Sequence, residues 1–239
     1  MINWYKTPKF VQRMFPKRVW TVPKESTAVF LTFDDGPIPN ITPWVIQELK
    51  KYGAKATFFC IGENIKKHPD IFKTLISEGH SIGNHTYNHL NGWKTNVSEY
   101  VKNVTLSEAE ASKWREKSTI NNQQSKIKNL SSAAPPDGRA VSAKEDRQSL
   151  FRPPYGKITT KQSKILQDRG YKIIMWDILS ADYNISVSEE KCLQNVLKNI
   201  APGSIVVFHD SLKAEKNLRY ALPKVLDFIV NKGWKCERI

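Results

Sequence analysis

At 239 residues the chain is long enough for one large α/β domain, and 40% apolar residues with seven Trp can supply its core. Thirty-seven basic against 23 acidic residues leave a formal charge of +14, which favours acidic polymers, anionic lipid or nucleic acid, or is simply a basic surface. Three widely spaced cysteines (Cys60, Cys192, Cys236) argue against a disulfide framework or a cysteine zinc site, and no stretch reaches the ~18 apolar residues of a membrane helix.

Residues 1–24 mix Trp, Phe, Lys, Arg and Pro and read as an N-terminal extension. They lack the continuous apolar stretch and small-residue cleavage site of a signal peptide. The chain is therefore expected in the cytoplasm by default, although a cell-wall substrate would require export. Val29–Phe33 then reads as a strand and Thr42–Tyr52 as a helix. Thr57–Ile61 reads as a strand, Pro69–Glu78 as a helix, Ser81–Gly83 as a short strand and Ser98–Lys117 as a long helix. Residues 118–148 are rich in Ser, Asn, Gln, Lys, Ala and Pro and poor in large apolar residues, so they read as a flexible insertion. Leu150-Phe151 leads into a proline turn. Thr160–Arg169 reads as a helix, Tyr171–Trp176 as a strand, Glu189–Asn199 as a helix and Ser204–Phe208 as a strand. Leu222–Asn231 and Trp234–Cys236 close the chain as helix and strand. This alternation predicts an α/β fold: a distorted (β/α) barrel of about seven parallel strands within 25–239, short of full closure.

Five strings fall near carboxyl ends of the predicted strands, where such barrels place chemistry. Asp34-Asp35 precede Gly36-Pro37. Adjacent carboxylates repel unless a cation or donor separates them, though an Asp pair also caps turns. His85-x-x-x-His89 puts two imidazoles on one face of a helical turn; with an upstream Asp they suit zinc or a similar divalent ion. Arg152-Pro153-Pro154-Tyr155-Gly156 is a rigid turn, and its Arg can orient a carboxylate. In the string Trp176 to Tyr183, Asp182 is expected to pair with Arg152 while Trp176 and Tyr183 line a pocket. His209, directly after an apolar strand, is a candidate acid. His68 and His80 read as structural or surface residues.

Together these strings resemble the NodB-type polysaccharide deacetylases (carbohydrate esterase family 4), in the family's order and from Phe30 to Asp210. The resemblance implies a distorted (β/α) barrel holding one divalent metal, zinc or another first-row ion such as cobalt. It implies Asp35, His85 and His89 as ligands, Asp34 as catalytic base and His209 as catalytic acid. Arg152 would orient Asp34, with Asp182 behind it, and the Tyr155 N–H would help hold the oxyanion. Trp176, Tyr183 and Val207 would bound the acyl pocket. Two departures stand out: Leu179 replaces the usual first Asp of the fourth string, and Tyr183 replaces its Trp. The expected activity is removal of N-acetyl groups from a peptidoglycan- or chitin-like glycan by a monomer. The rivals are O-acetyl ester hydrolysis, a non-catalytic glycan-binding module, and nucleic-acid binding, for which only charge speaks and no motif.

Overall fold

The computed structural model describes residues 5–23, 27–129 and 149–239. The first strand, β1 (Ala28–Asp34), is buried along its whole length, as befits the centre of a sheet covered on both faces. Helix α2 (Ile41–Lys51) returns the chain to β2 (Thr57–Cys60), and α3 (Gly62–Lys67) with α4 (Pro69–Ser77) to β3 (Ser81–Asn84). The long α5 (Val97–Asn129) precedes β4 (Leu150–Phe151), and a short 3-10 turn (Pro154–Gly156) with α6 (Thr160–Asp168) precedes β5 (Lys172–Ile173). Then come β6 (Ile178–Leu179), α7 (Glu189–Leu197), β7 (Ile205–His209), α8 (Glu215–Asn231) and β8 (Lys235–Cys236). Seven strands lie in the order β5-β4-β3-β2-β1-β7-β6, and β8 pairs with the start of β1. Every pairing is parallel. The result is the expected barrel, curled but not closed by its own strands. Phe33, Phe58 and Phe208 stack on the face of the sheet that packs against the helices, with centroids 4.9 and 6.1 Å apart, so the alternate residues Thr32 and Asp34 face the other way.

Three elements differ from expectation. The strand predicted over Tyr171–Trp176 stops at Ile173, and a second short strand, β6, follows a bend at Asp177. Helix α5 runs on to Asn129, into the stretch expected to be flexible, and the rest of that expected insertion, 130–148, lies outside the described residues. Helix α8 starts at Glu215 and carries Pro223 in its interior.

The N-terminal segment fills the gap between β5 and β6. The Thr7 N–H donates to Asp177 O at 2.8 Å and the Leu179 N–H to Tyr5 O at 2.9 Å. Further on, the Val19 N–H donates to Ile173 O at 2.9 Å and the Met175 N–H to Val19 O at 2.7 Å. Lys6 anchors the crossing through a 2.6 Å ion pair with the buried Asp177. A six-residue helix, α1 (Lys9–Met14), lies between the two contacts. Among the described residues no helix is long and apolar enough to cross a membrane.

Candidate active site

β1 delivers Asp34 and Asp35 at its carboxyl end. Asp35 has φ 85°, a strained value for a residue with a Cβ. Neighbours hold it there: Asn64 Nδ2 donates to the Asp35 carbonyl at 2.7 Å, and the Ile61 N–H donates to the Gly36 carbonyl at 3.0 Å.

After β3 the chain carries His85 and His89 through an irregular loop, not the helical turn their spacing predicts. Thr86 and His89 have φ 64° and 56°. The reason lies in the side chains around them. Asn84 Oδ1 accepts from the Thr86 N–H at 2.9 Å, and Asn103 Oδ1 on α5 accepts from the Tyr87 and Asn88 N–H groups at 2.7 and 3.1 Å. These acceptors satisfy backbone donors that a helix would use internally.

The imidazoles still converge. Nε2 of His89 lies 3.2 Å and Nε2 of His85 3.8 Å from Asp35 Oδ1. One ligand atom from each of the three residues lies within 4.8 Å of the others. His85 Nδ1 is 2.8 Å from the Arg152 carbonyl, which assigns the ring proton to Nδ1 and leaves the Nε2 lone pair facing Asp35. Burial holds the His85 imidazole below its ordinary value. Burial, then the neighbouring His85, lowers that of His89 to about 4. Both rings are therefore neutral donors near pH 7. Asp35 stays ionised: burial opposes its charge, but His209 and the other imidazoles pull its pKa below the usual carboxylate value. Its Oδ1 is buried and makes no hydrogen bond. Two neutral nitrogens beside an unpartnered carboxylate oxygen fit a divalent first-row cation.

Asp34 is buried behind this set and bonded to Arg152, whose Nη1 lies 2.7 Å from Oδ1. Arg152 is fully buried. It also donates to Thr32 Oγ1 at 2.7 Å, to Met175 O at 3.0 Å and to Ile174 O at 3.3 Å, and it lies over the Phe59 ring. Four of its five N–H donors are taken in this way, and Asp182 is not among its partners. Asp182 binds His209 instead: Oδ1 lies 2.8 Å from Nδ1, and Oδ2 accepts the His209 N–H at 2.7 Å. Strand order explains the correction. Asp182 follows β6, the neighbour of β7, whereas Arg152 follows β4 on the other flank of the sheet. Burial alone would depress the His209 imidazolium; the charge and hydrogen bond of Asp182 outweigh it and raise the pKa to about 9.

Asp210 is a neighbour for which the sequence reading has no role. It is fully buried, accepts from the Gly36 N–H at 3.0 Å and from Thr42 Oγ1 at 2.5 Å, and burial pushes its pKa up to about 8. A Cβ on Gly36 would come within 2.0 Å of Asp210 Oδ2, so Gly36 is required for this approach. Asp210 thus ties the turn after Asp35 to the end of β7.

Tyr155 has φ 59°, and its ring lies 4.6 Å from that of His89. The bonds of its turn are donated by the Gly156 and Lys157 N–H groups, to Pro153 and Pro154, so the Tyr155 N–H is not one of the turn's donors. Tyr183 packs edge-on against His209 at 4.9 Å. Val207 is buried within β7, and Trp176 packs beneath Gly156, where a Cβ would come within 2.7 Å of its ring.

A polysaccharide deacetylase family profile matches residues 21–174. The chain is also 34% identical over 212 residues to a peptidoglycan-N-acetylglucosamine deacetylase of Bacillus cereus, covering 88% of this chain and 66% of that one. The chain belongs to the polysaccharide deacetylase family. A chitooligosaccharide deacetylase of Azorhizobium caulinodans is 29% identical over 189 residues, covering 79% and 76% of the two chains. A solved peptidoglycan N-acetylglucosamine deacetylase in complex with 4-naphthalen-1-yl-N-oxidanyl-benzamide superposes with a TM-score of 0.77 at 30% identity, over 98% of this chain and 95% of that one. Against the family pattern, Leu179 and Tyr183 remain the departures. Leu179 is the last residue of β6, and Tyr183 keeps an aromatic ring against His209.

Proposed function

We propose that this deacetylase-family chain is a metal-dependent hydrolase that removes N-acetyl groups from N-acetylglucosamine units of a peptidoglycan- or chitin-like glycan. The observation that carries the reading is the gathering of Asp34, His85, His89 and His209 about Asp35, with Arg152 and Asp182 each bonded to one of the two proton-transfer groups. The two kinds of substrate named for the relatives support the glycan class.

Asp35, His85 and His89 would hold zinc or a similar ion, which when bound polarises a carbonyl and lowers the pKa of water toward ~7. Asp34 takes a proton from the attacking water. Its bond to Arg152 fixes the oxygen that does so. The Tyr155 N–H donates to the oxyanion that develops on the acetyl carbonyl, and one such donor is typically worth about 3 kcal/mol. His209, cationic near pH 7, gives its Nε2 proton to the departing amine, while Asp182 fixes the ring through Nδ1. Tyr183 and Val207 bound the space for the acetyl methyl group, with Trp176 behind. The products are acetate and a glucosamine unit.

The test is acetate release. Zinc-loaded protein should liberate acetate from N-acetylchitotetraose or from peptidoglycan, and less from an O-acetylated xylan. No acetate from either amide substrate would remove the reading; preferential release from the xylan would replace it with ester hydrolysis.

A further inference from the structure

Trp93 takes no part in the reaction described above, yet 66% of its surface is exposed. It sits on the loop that follows His89. That loop is built stiffly. The Gly92 N–H donates to Lys157 O at 3.1 Å, and Gln162 Nε2 donates to Gly92 O and Thr95 O at 2.9 and 3.1 Å. The Trp93 N–H donates to Asn91 Oδ1 at 3.0 Å, and its indole Nε1 to Ile158 O at 3.4 Å. There is no room for a side chain at Gly92, where a Cβ would lie 2.5 Å from the Lys157 carbonyl oxygen. The strand of chain to which this loop is laced, 155–158, also carries Tyr155. That ring is 60% exposed and stands 4.6 Å from the ring of His89. Lys157 Nζ lies 5.4 Å from the Trp93 ring centroid, and Lys157 forms no ion pair among the described residues.

Exposed apolar side chains are common, and most are mobile and carry no function. An indole clamped at its backbone, its edge and its neighbouring glycine, one loop away from a metal ligand, is instead a preformed flat surface. Little conformational freedom remains to be lost when something flat binds it. A pyranose ring has such a face, formed by its axial C–H groups. The free cation beside the ring adds a chemical preference: a carboxylate.

We propose that Trp93 and Lys157 form an accessory sugar site next to the catalytic one. It takes the glycan unit adjoining the residue to be deacetylated and favours a unit bearing a carboxylate, as a muramic acid does. Trp93 stacks on the sugar face, and Lys157 pairs with the carboxylate. The identity of the neighbouring site rests on the deacetylase reading; the platform itself does not.

The test separates the two. Binding is measured by calorimetry on zinc-supplied, full-length Asp34→Asn protein. The ligands are neutral N-acetylchitotetraose and a tetrasaccharide alternating N-acetylglucosamine with N-acetylmuramic acid. Trp93→Ala should raise the dissociation constant of both about tenfold, as removal of a central aromatic anchor does. Trp93→Phe should restore most of that loss, which a merely structural role would not predict for the glycan alone. Lys157→Gln should weaken only the carboxylate ligand, about threefold at low salt, with the difference vanishing in high salt. In the Asp34-containing enzyme, Trp93→Ala should raise KM for the tetrasaccharide about tenfold. Tetramer binding indifferent to Trp93→Ala, or no tetramer binding by the parent, overturns the accessory site. Trp93-dependent binding without acetate release by the wild type would sink the deacetylase reading and leave the site standing.

Discussion

Replacing Arg152 by Met tests the innermost part of the site. Arg152 is fully buried, and its guanidinium is the ion-pair partner of the buried Asp34. Methionine can refill much of the volume over Phe59, so the chief loss is electrostatic. Asp34 is left as a buried carboxylate without its counter-charge, and the carbonyls of Ile174 and Met175 lose a donor. Breaking a buried pair in this way costs about 3–5 kcal/mol. That is a large share of the roughly 5–15 kcal/mol by which a domain is stable. Asp34→Asn alone removes the charge and keeps a hydrogen-bonding group, so it should cost only about 1–2 kcal/mol. The double variant has no buried charge to strand. Its loss should therefore fall short of the sum by about 2 kcal/mol, within the range for residues in contact. Urea denaturation of metal-free protein near pH 7 measures all four corners, since a bound ion would add stability by mass action. An Arg152→Met loss below about 1 kcal/mol, or simple additivity in the double variant, would refute the argument from stranded charge.

Asp182→Asn should move the basic limb of the kcat profile. His209 must be protonated to act as acid, so turnover falls as pH rises through its folded pKa of about 9; without Asp182, burial dominates and the limb should drop well below that value, and an unmoved limb would contradict the pairing. His85→Ala should lower bound metal, read by elemental analysis, while circular dichroism reports an intact fold; equal metal in both proteins would disprove the ligand set. Removing residues 1–22 should uncover the edges of β5 and β6 and yield protein that melts lower and binds a hydrophobic dye, because five backbone hydrogen bonds to the barrel and the Lys6–Asp177 pair go with them. A truncated protein with the parent melting temperature would show the segment to be dispensable.

What could be read from the sequence depended on how local its cause was. Helix α6 is legible because Thr159 and Gln162 form a capping box, and α7 because Ser188 caps it. Helix α8 begins at Glu215, ahead of the expected Leu222, and Pro223, a residue that favours a helix's first turn, lies in its interior. Two-residue strands such as β6 carry no periodicity to detect. The strings bearing Asp34, Asp35, His85, His89, Arg152 and His209 named residues that the fold does bring together. The partner of Asp182 was not legible, because it depends on β6 lying beside β7. Nor was the shape of the His85–His89 loop, which is set by Asn103 on a different element. Asp210 had no local signal except its place directly after His209; its reason is Gly36, far away in the chain.

The residues forced into left-handed backbone explain why so much of the fold serves so small a site. Six non-glycine residues among those described have positive φ; one, Asn40, precedes α2, and the other five are Asp35, Thr86, His89, Tyr155 and Ala181. Each of these five either belongs to the site or adjoins a residue that does. Such positions cost of order 1–3 kcal/mol each and persist only where their surroundings over-determine them. Here the surroundings are identifiable. Asn64 holds Asp35, Asn84 holds Thr86, and two prolines precede Tyr155. Together these five distortions approach the net stability of a whole domain, so the buried strands and the helices around them must offset them. The return is placement. Asp35 and His89 leave regular structure at angles that an unstrained chain would not take, and they meet with Nε2 and Oδ1 3.2 Å apart. The hydrogen-bonded asparagines around the site are thus part of its chemistry, since without them the loops would relax and the carboxylate and imidazoles would part.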